Sequence, residues 1–295
     1  MSRTYPALDV TPARADPEIA DLILAVVDDD RPCAVDDTGD TLRVFFTSDA
    51  ARAAAAKRLT SSGLPVSVEL VDVPDDDWAV KGQPALQPVQ VGRLLIVPEE
   101  KKTSGVFFGN PEKHSRRLFV PPSMGFGTGH HASTRLCLTV LQQLPLDGRR
   151  VLDVGTGSGI LAIAAYTLGA ASALGIDYDA DALAAAAENL DRNDATAGVT
   201  LRPFDLDQED PRGLGAFDVV LANLTGGHLE QRAPQIAAFV ASAGHVIASG
   251  FQVREAADVR AALESAGLRF VRDIEEDGWM AAVFLSASPT GSTAR

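Results

Sequence analysis

The segment Asp153-Val-Gly-Thr-Gly-Ser-Gly159 sets Gly155, Gly157 and Gly159 two residues apart, with Asp153 two residues before the first glycine. Between the apolar runs "VLDV" and "ILAIAAYTLG", such glycines let a chain turn sharply and bring its backbone close to a bound molecule. A dinucleotide fingerprint, G-x-G-x-x-G, would need glycine at position 160, where Ile160 stands. Two further carboxylates end apolar runs: Asp177 in "ALGIDYD" and Asp205 in "RPFDLDQED". An ionised aspartate is an acceptor with several lone-pair sites and suits a pair of ribose hydroxyls. Asp177 is the better candidate for that task, since Asp179 is placed to cap the next helix. Asp205 can accept from an amino group of a ligand, or belongs with Asp207, Glu209 and Asp210 to a solvated acidic loop. Asn223 ends "FDVVLAN" and can both donate and accept; Thr225 follows two residues later.

A second glycine-rich stretch, "GFGTGHHASTR" (125–135), carries the adjacent pair His130-His131 and the hydroxyl of Thr134. A metal site needs three or four ligands in consistent geometry. The chain has five histidines, and neither a His-Glu-x-x-His run nor a cysteine pair supports these two, so no metal is expected. General-base chemistry is open to them, because histidine titrates near neutrality. Packing of the loop over a ligand is the alternative.

These residues need a scaffold. From Leu118 onward strands and helices alternate: helix "HASTRLCLTVLQQL", then strands "VLDV", "ALGID", "VTLRPFD", "FDVVLAN" and "HVIAS" separated by helices, then "LRFVRDI" and "GWMAAVFL". One of those helices is "GHLEQRAPQIAAFV". The pattern predicts an α/β fold, a mostly parallel sheet with helices on both faces and the ligand at the carboxyl ends of the strands. Residues 1–75 read as a small α+β, ferredoxin-like unit, with strands "TLRVFF" and "PVSVELVDV" around a helix that Ser48 caps and Gly63 stops. Residues 76–117 read as a linker region with one apolar run, "GRLLIVP"; 118–286 as the main domain; 287–295 as a disordered tail.

The chain has 295 residues, 46% hydrophobic and 22% charged, with a formal net charge of −14. That composition is soluble and globular, and the charge disfavours a nucleic-acid backbone as direct partner. No apolar run reaches membrane-spanning length and no secretion signal opens the chain. Cys33 and Cys137 read as reduced thiols of a cytoplasmic protein.

The G-x-G-x-G loop resembles motif I of the class I methyltransferases, which bind S-adenosylmethionine. Many members acting on DNA adenine or glutamine amides carry Asn/Asp-Pro-Pro-Tyr/Phe at the fourth strand tip. Here Asn223-Leu224-Thr225-Gly226 stands there, which argues against stacking a planar base or amide. Six collinear stretches together resemble the methyltransferases of large-subunit ribosomal protein eleven: "DDWAVKGQPALQPVQVGRLLIVP", "GFGTGHHASTRLCL", "VLDVGTGSGILAIAAYTLGA", "GIDYDADAL", "VVLANLTGGHL" and "EEDGWMAAVF". The resemblance implies a cytoplasmic enzyme with a Rossmann-like class I sheet and a small N-terminal substrate-recognition domain. It implies transfer of methyl groups from S-adenosylmethionine to amino groups, lysine or N-terminal, of that ribosomal protein, leaving S-adenosylhomocysteine. Thr134, Asp153, Gly155, Gly157, Asp177, Asp205 and Asn223 are then the expected cofactor residues, and Asn223 with Thr225 the expected catalytic ones. A monomer without metal is expected. The sequence departs from the family pattern at Ala132, at Gly227-His228-Leu229 and at "KGQPALQP". These departures leave open a methyltransferase for another basic protein or a small molecule, or a protein that binds S-adenosylmethionine without catalysis.

Overall fold

The structure is a computed structural model that describes residues 4–14, 19–27, 30, 32, 34–37, 40–46, 48–74, 87–98, 116–121 and 129–286. The chain divides into two compact units, Met1–Leu86 with Met124–Phe126, and Gln87–Ser123 with Gly127–Arg295.

The first unit runs β1 (Thr4–Pro12), α1 (Ile19–Val27), β2 (Ala34–Asp37), β3 (Leu42–Phe45), α2 (Asp49–Ser61), β4 (Val66–Pro74). Its sheet has the order β2-β3-β1-β4 and is antiparallel throughout, the ferredoxin-like split βαβ arrangement. Period-two alternation puts Leu8 and Val10 of β1 into one core with Ile19 and Ile23 of α1 and Leu59 of α2. Ser48 caps α2 by accepting from Ala51 N at 3.2 Å, and Gly63 follows the helix at φ +75°, the backbone region where glycine ends helices without strain.

The second unit begins with β5 (Val89–Val91), β6 (Leu94–Val97) and β7 (Arg116–Phe119), a three-stranded sheet. Strands β5 and β6 thus lie inside the 76–117 segment read above as a connection: two short apolar runs pair with each other across Gly92-Arg93 and then with β7. Residues 75–86, 99–115 and the tail 287–295 lie outside the described residues.

The main sheet contains β8 (Arg150–Val154), β9 (Ser172–Asp177), β10 (Val199–Pro203), β11 (Phe217–Asn223), β12 (Val240–Gln252), β13 (Leu268–Glu276) and β14 (Trp279–Ser286), in the order β10-β9-β8-β11-β12-β14-β13. Its first five members pair in parallel, while β14 is antiparallel to both its neighbours. Helices α3 (Ala132–Leu141), α4 (Ile160–Thr167) and α5 (Ala180–Arg192) cover one face. There Val219 and Leu221 of β11 pack with Leu138, Ile163 and Leu190. The alternate residues Val220 and Ala222 face α6 (Gly226–Gln231), α7 (Ala233–Ala238) and α8 (Ala256–Ser265) through Leu229, Ile236 and Val259. Each such Leu, Ile or Val contributes about 1.5–3 kcal/mol of burial.

The stretch "GHLEQRAPQIAAFV", expected as one helix, is two. Pro234 has no N–H to continue the i to i−4 ladder and its ring crowds the preceding turn, so α6 stops at Gln231 and α7 starts at Ala233. No helix among the described residues is long and apolar enough to cross a membrane.

Candidate active site

The loop between β8 and α4 holds its three glycines at φ +65° (Gly155), +52° (Gly157) and +79° (Gly159), where L side chains are strained. A Cβ on Gly155 would stand 2.6 Å from Leu224 Cδ2, and one on Gly159 3.2 Å from Ala186 Cβ. The loop therefore lies close against both the chain after β11 and helix α5. Asp153 sits beneath it, 1% exposed. Its Oδ2 accepts from Thr156 Oγ1 at 2.7 Å and from Ala162 N at 3.2 Å, tying loop to helix. Burial, which disfavours the charged form, pushes its pKa up to about 7 against those two hydrogen bonds.

Asp177 ends β9 and is also buried. Its Oδ2 accepts from Gly157 N and its Oδ1 from Asp179 N, both at 3.0 Å. Burial raises its pKa and the backbone N–H groups oppose the rise. Asp179 caps α5 through Asp181 N at 2.9 Å, so that task does not fall to Asp177. Asp205, beyond β10, is half-buried and turns Oδ1 back onto Asp207 N at 2.8 Å. The adjoining Phe204 N donates to Asp177 O at 2.9 Å, so the two acidic strand ends are neighbours.

Asn223 ends β11 beside Ser249 of β12. The next residue of β12, Gly250, has φ +92°, and a Cβ there would lie 2.4 Å from Leu224 O; glycine is what allows this close approach. Asn223 Nδ2 donates to Thr134 Oγ1 at 3.3 Å, and Thr134 is buried in the first turn of α3. Asn223 Oδ1 is buried without a hydrogen-bond partner, unusual for an interior acceptor. Thr225, expected beside it, caps α6 instead: its Oγ1 accepts from His228 N at 3.4 Å.

The histidine pair is divided. His131 caps α3, its Nδ1 accepting from Ser133 N at 3.3 Å and lying 2.7 Å from Ser133 Oγ. Its ring meets Trp279 edge-on, 4.4 Å between centroids. Burial first, then the Arg135 charge, lowers its pKa, which keeps the imidazole in the neutral, accepting form that a cap needs. His130 Nε2 lies 2.9 Å from Gln87 O. Among the described residues no group of three His, Cys, Asp or Glu side chains is gathered to hold a metal.

Four residues at this site were not singled out from the sequence. Ser249 Oγ is within hydrogen-bond distance of Met280 O (2.7 Å) and Ser133 O (3.2 Å). Trp279 backs His131, and Arg135 reaches Glu276 at 2.8 Å. The buried serine inside the apolar run "HVIASGF" was the one local signal.

A sequence model of the ribosomal protein L11 methyltransferase (PrmA) family matches residues 28–286. The chain belongs to that family. Relatives named ribosomal protein L11 methyltransferase include one from Geobacter sulfurreducens, 40% identical over 225 residues that cover 75% of this chain and 71% of the relative. Another, from Azotobacter vinelandii, is 38% identical over 234 residues, 79% of this chain and 76% of the relative. The crystal structure of a ribosomal protein L11 methylase from Lactobacillus delbrueckii subsp. bulgaricus superimposes with a TM-score of 0.59 at 28% identity, covering 69% of this chain and 100% of that one. Membership makes the chain an S-adenosylmethionine-dependent methyltransferase with the class I fold expected above. The donor set fits that cofactor: a glycine loop at positive φ after the first central strand, a buried carboxylate suited to ribose hydroxyls, and at the strand tip an acceptor without a partner.

Proposed function

We propose that this chain methylates amino groups of ribosomal protein L11, on lysine or at the N-terminus, with Asn223 and Thr134 at the reacting end of the pocket. Family membership supports the substrate, and the observation that carries the placing of the reacting end is the buried, unpartnered Oδ1 of Asn223, held beside Thr134 at the carboxyl end of a central parallel strand.

When bound, S-adenosylmethionine supplies a methyl group on a sulfonium that carries its own leaving group. Holding it falls to Gly155 and Gly157 of the glycine loop, to the carboxylate of Asp177, to Asp205 for the adenine amino group, and to Thr134. Asp153 acts from beneath by fixing the loop. The protein's remaining task is to position an amine, and positioning alone can lower such a barrier by several kcal/mol. Asn223 Oδ1 accepts an amine N–H and so points the nitrogen lone pair. Thr225 serves this wall indirectly, by holding α6 behind it.

The amine must be neutral to attack: an α-amino group, with a pKa of about 8, is partly so already, whereas lysine, at about 10.4, first gives its proton to solvent water, an equilibrium that desolvation of the amine favours. A neutral His131 engaged in capping leaves no base role to it. The first unit is the part we assign to substrate recognition, and a monomer acting in the cytoplasm, without nucleic-acid contact, completes the proposal.

Incubation with S-adenosylmethionine labelled in its methyl group tests it, comparing purified L11 with other proteins of the same cell. Label on L11 is expected. Label on a different protein or a small molecule, with none on L11, would replace the substrate.

A further inference from the structure

We infer that Arg135 is a positioning residue, which sets Thr134 against Asn223 by fastening the start of α3 to the β13–β14 hairpin. This rests on the methyl-transfer reading above.

The guanidinium of Arg135 faces two ways. Its Nε donates to Glu276 Oε1 at 2.8 Å and its Nη2 lies 3.3 Å from Asp277 Oδ2. Its Nη1 donates to His130 O, in the stretch just before the helix. One side chain thus joins the entry of α3 to a turn 141 residues further on. The turn is itself rigid. Asp277 and Gly278 form a two-residue hairpin loop at φ +53° and +79°, the geometry that matches the twist of the flanking strands. The ion pair is partly buried, with the Arg135 side chain 21% exposed and that of Glu276 38%. A planar fork that satisfies carboxylates and a carbonyl together is a task for which lysine is no equivalent.

The same hairpin grips the neighbours of Thr134 at two more points. Trp279 meets the His131 ring, and Ser249 of β12 donates to Met280 O at 2.7 Å with Ser133 O 3.2 Å from the same hydroxyl. Residues on either side of Thr134 are therefore held to β12 and β14, while Thr134 itself reaches Asn223. Arg135 is the one of these fastenings that carries charge, and it lies next to Thr134 in the chain. A reacting group misplaced by about 1 Å can cost about 100-fold in rate.

The test is calorimetric binding of S-adenosylhomocysteine to Arg135→Gln, Thr134→Ala and the double variant, with thermal unfolding beside each. Each single change is expected to weaken binding about tenfold. The double variant is expected to bind no worse than Thr134→Ala alone, because Arg135 acts through Thr134. A merely structural role would instead multiply the two losses. Removing the partners, with Glu276→Gln and Asp277→Asn together, leaves α3 untouched and is expected to reproduce the Arg135→Gln effect. Additive losses, or unchanged binding in Arg135→Gln, would overturn the inference. A wild-type chain that binds no S-adenosylhomocysteine would instead overturn the methyl-transfer reading, and the inference with it.

Discussion

Asn223 and Thr134, 89 residues apart in sequence, meet through a 3.3 Å hydrogen bond from Nδ2 to Oγ1 that joins the tip of β11 to the first turn of α3. The other Asn223 atom, Oδ1, is buried and unpartnered. Asn223→Ala removes the Thr134 contact and the unpartnered acceptor together. It is expected to lower kcat about 100-fold, the order lost when one contact that orients the reacting group is deleted, with a smaller effect on cofactor binding. Steady-state kinetics with L11 would check this.

Thr134→Ala leaves Asn223 Nδ2 without its partner in a partly buried setting, a loss of about 1 kcal/mol or somewhat more. Folding stability measured by urea unfolding is expected to fall by that amount, whereas Thr134→Ser, which keeps the oxygen, is expected to stay near wild type.

Gly250→Ala places a methyl 2.4 Å from Leu224 O at φ +92°. The backbone strain alone costs about 1–3 kcal/mol, and the contact is with a carbonyl that cannot rotate away. A lowered Tm is expected, together with displacement of the Asn223-Leu224 corner and loss of activity. Gly63→Ala, also at positive φ but with open space around it, is expected to cost less.

The buried carboxyl of Asp153, with a pKa of about 7 against an ordinary 3.8, binds its proton more tightly folded than unfolded. Its contribution to stability is full below about pH 4 and is lost as pH rises through about 7. Asp153→Asn keeps an acceptor for Thr156 and Ala162 but does not ionise. The variant is therefore expected to gain stability relative to wild type across that window, read from unfolding midpoints at pH 4, 5, 6 and 7.

Cys137 is buried, and burial pushes its thiol up to about 12. The thiolate is the reactive form, so iodoacetamide is expected to leave Cys137 unmodified in the native chain and to modify it after denaturation. Mass mapping of the peptide carrying Cys137 would check this.

What was legible in the sequence follows the range of the interaction. Caps at Ser48 and Asp179 depend on the next three residues, and both are in place. The alternation of strands and helices from Leu118 onward yields the two-faced sheet, because Val219/Leu221 and Val220/Ala222 must bury opposite sides. Pro234 broke a helix whose apolar spacing ran on through it. Strand β6 showed only as the apolar run "GRLLIVP", and β5 was hidden, because runs of three and four residues carry little periodicity and are held by pairing, β5 with β6 and β6 with β7. His131 is an uncommon cap, and its ring contact with Trp279, 148 residues away, carries no local signal. The grip of Arg135 on Glu276 likewise appears only once the chain has folded.

The most direct test of the account is the intact mass of purified L11 after incubation with this chain and S-adenosylmethionine, run beside Asn223→Ala. We predict mass increments in whole methyl groups with the wild-type chain, and far slower accumulation with the variant. An unchanged L11 mass under conditions where the wild-type chain binds the cofactor would contradict the assigned function. Equal methylation by both chains would contradict the role of Asn223.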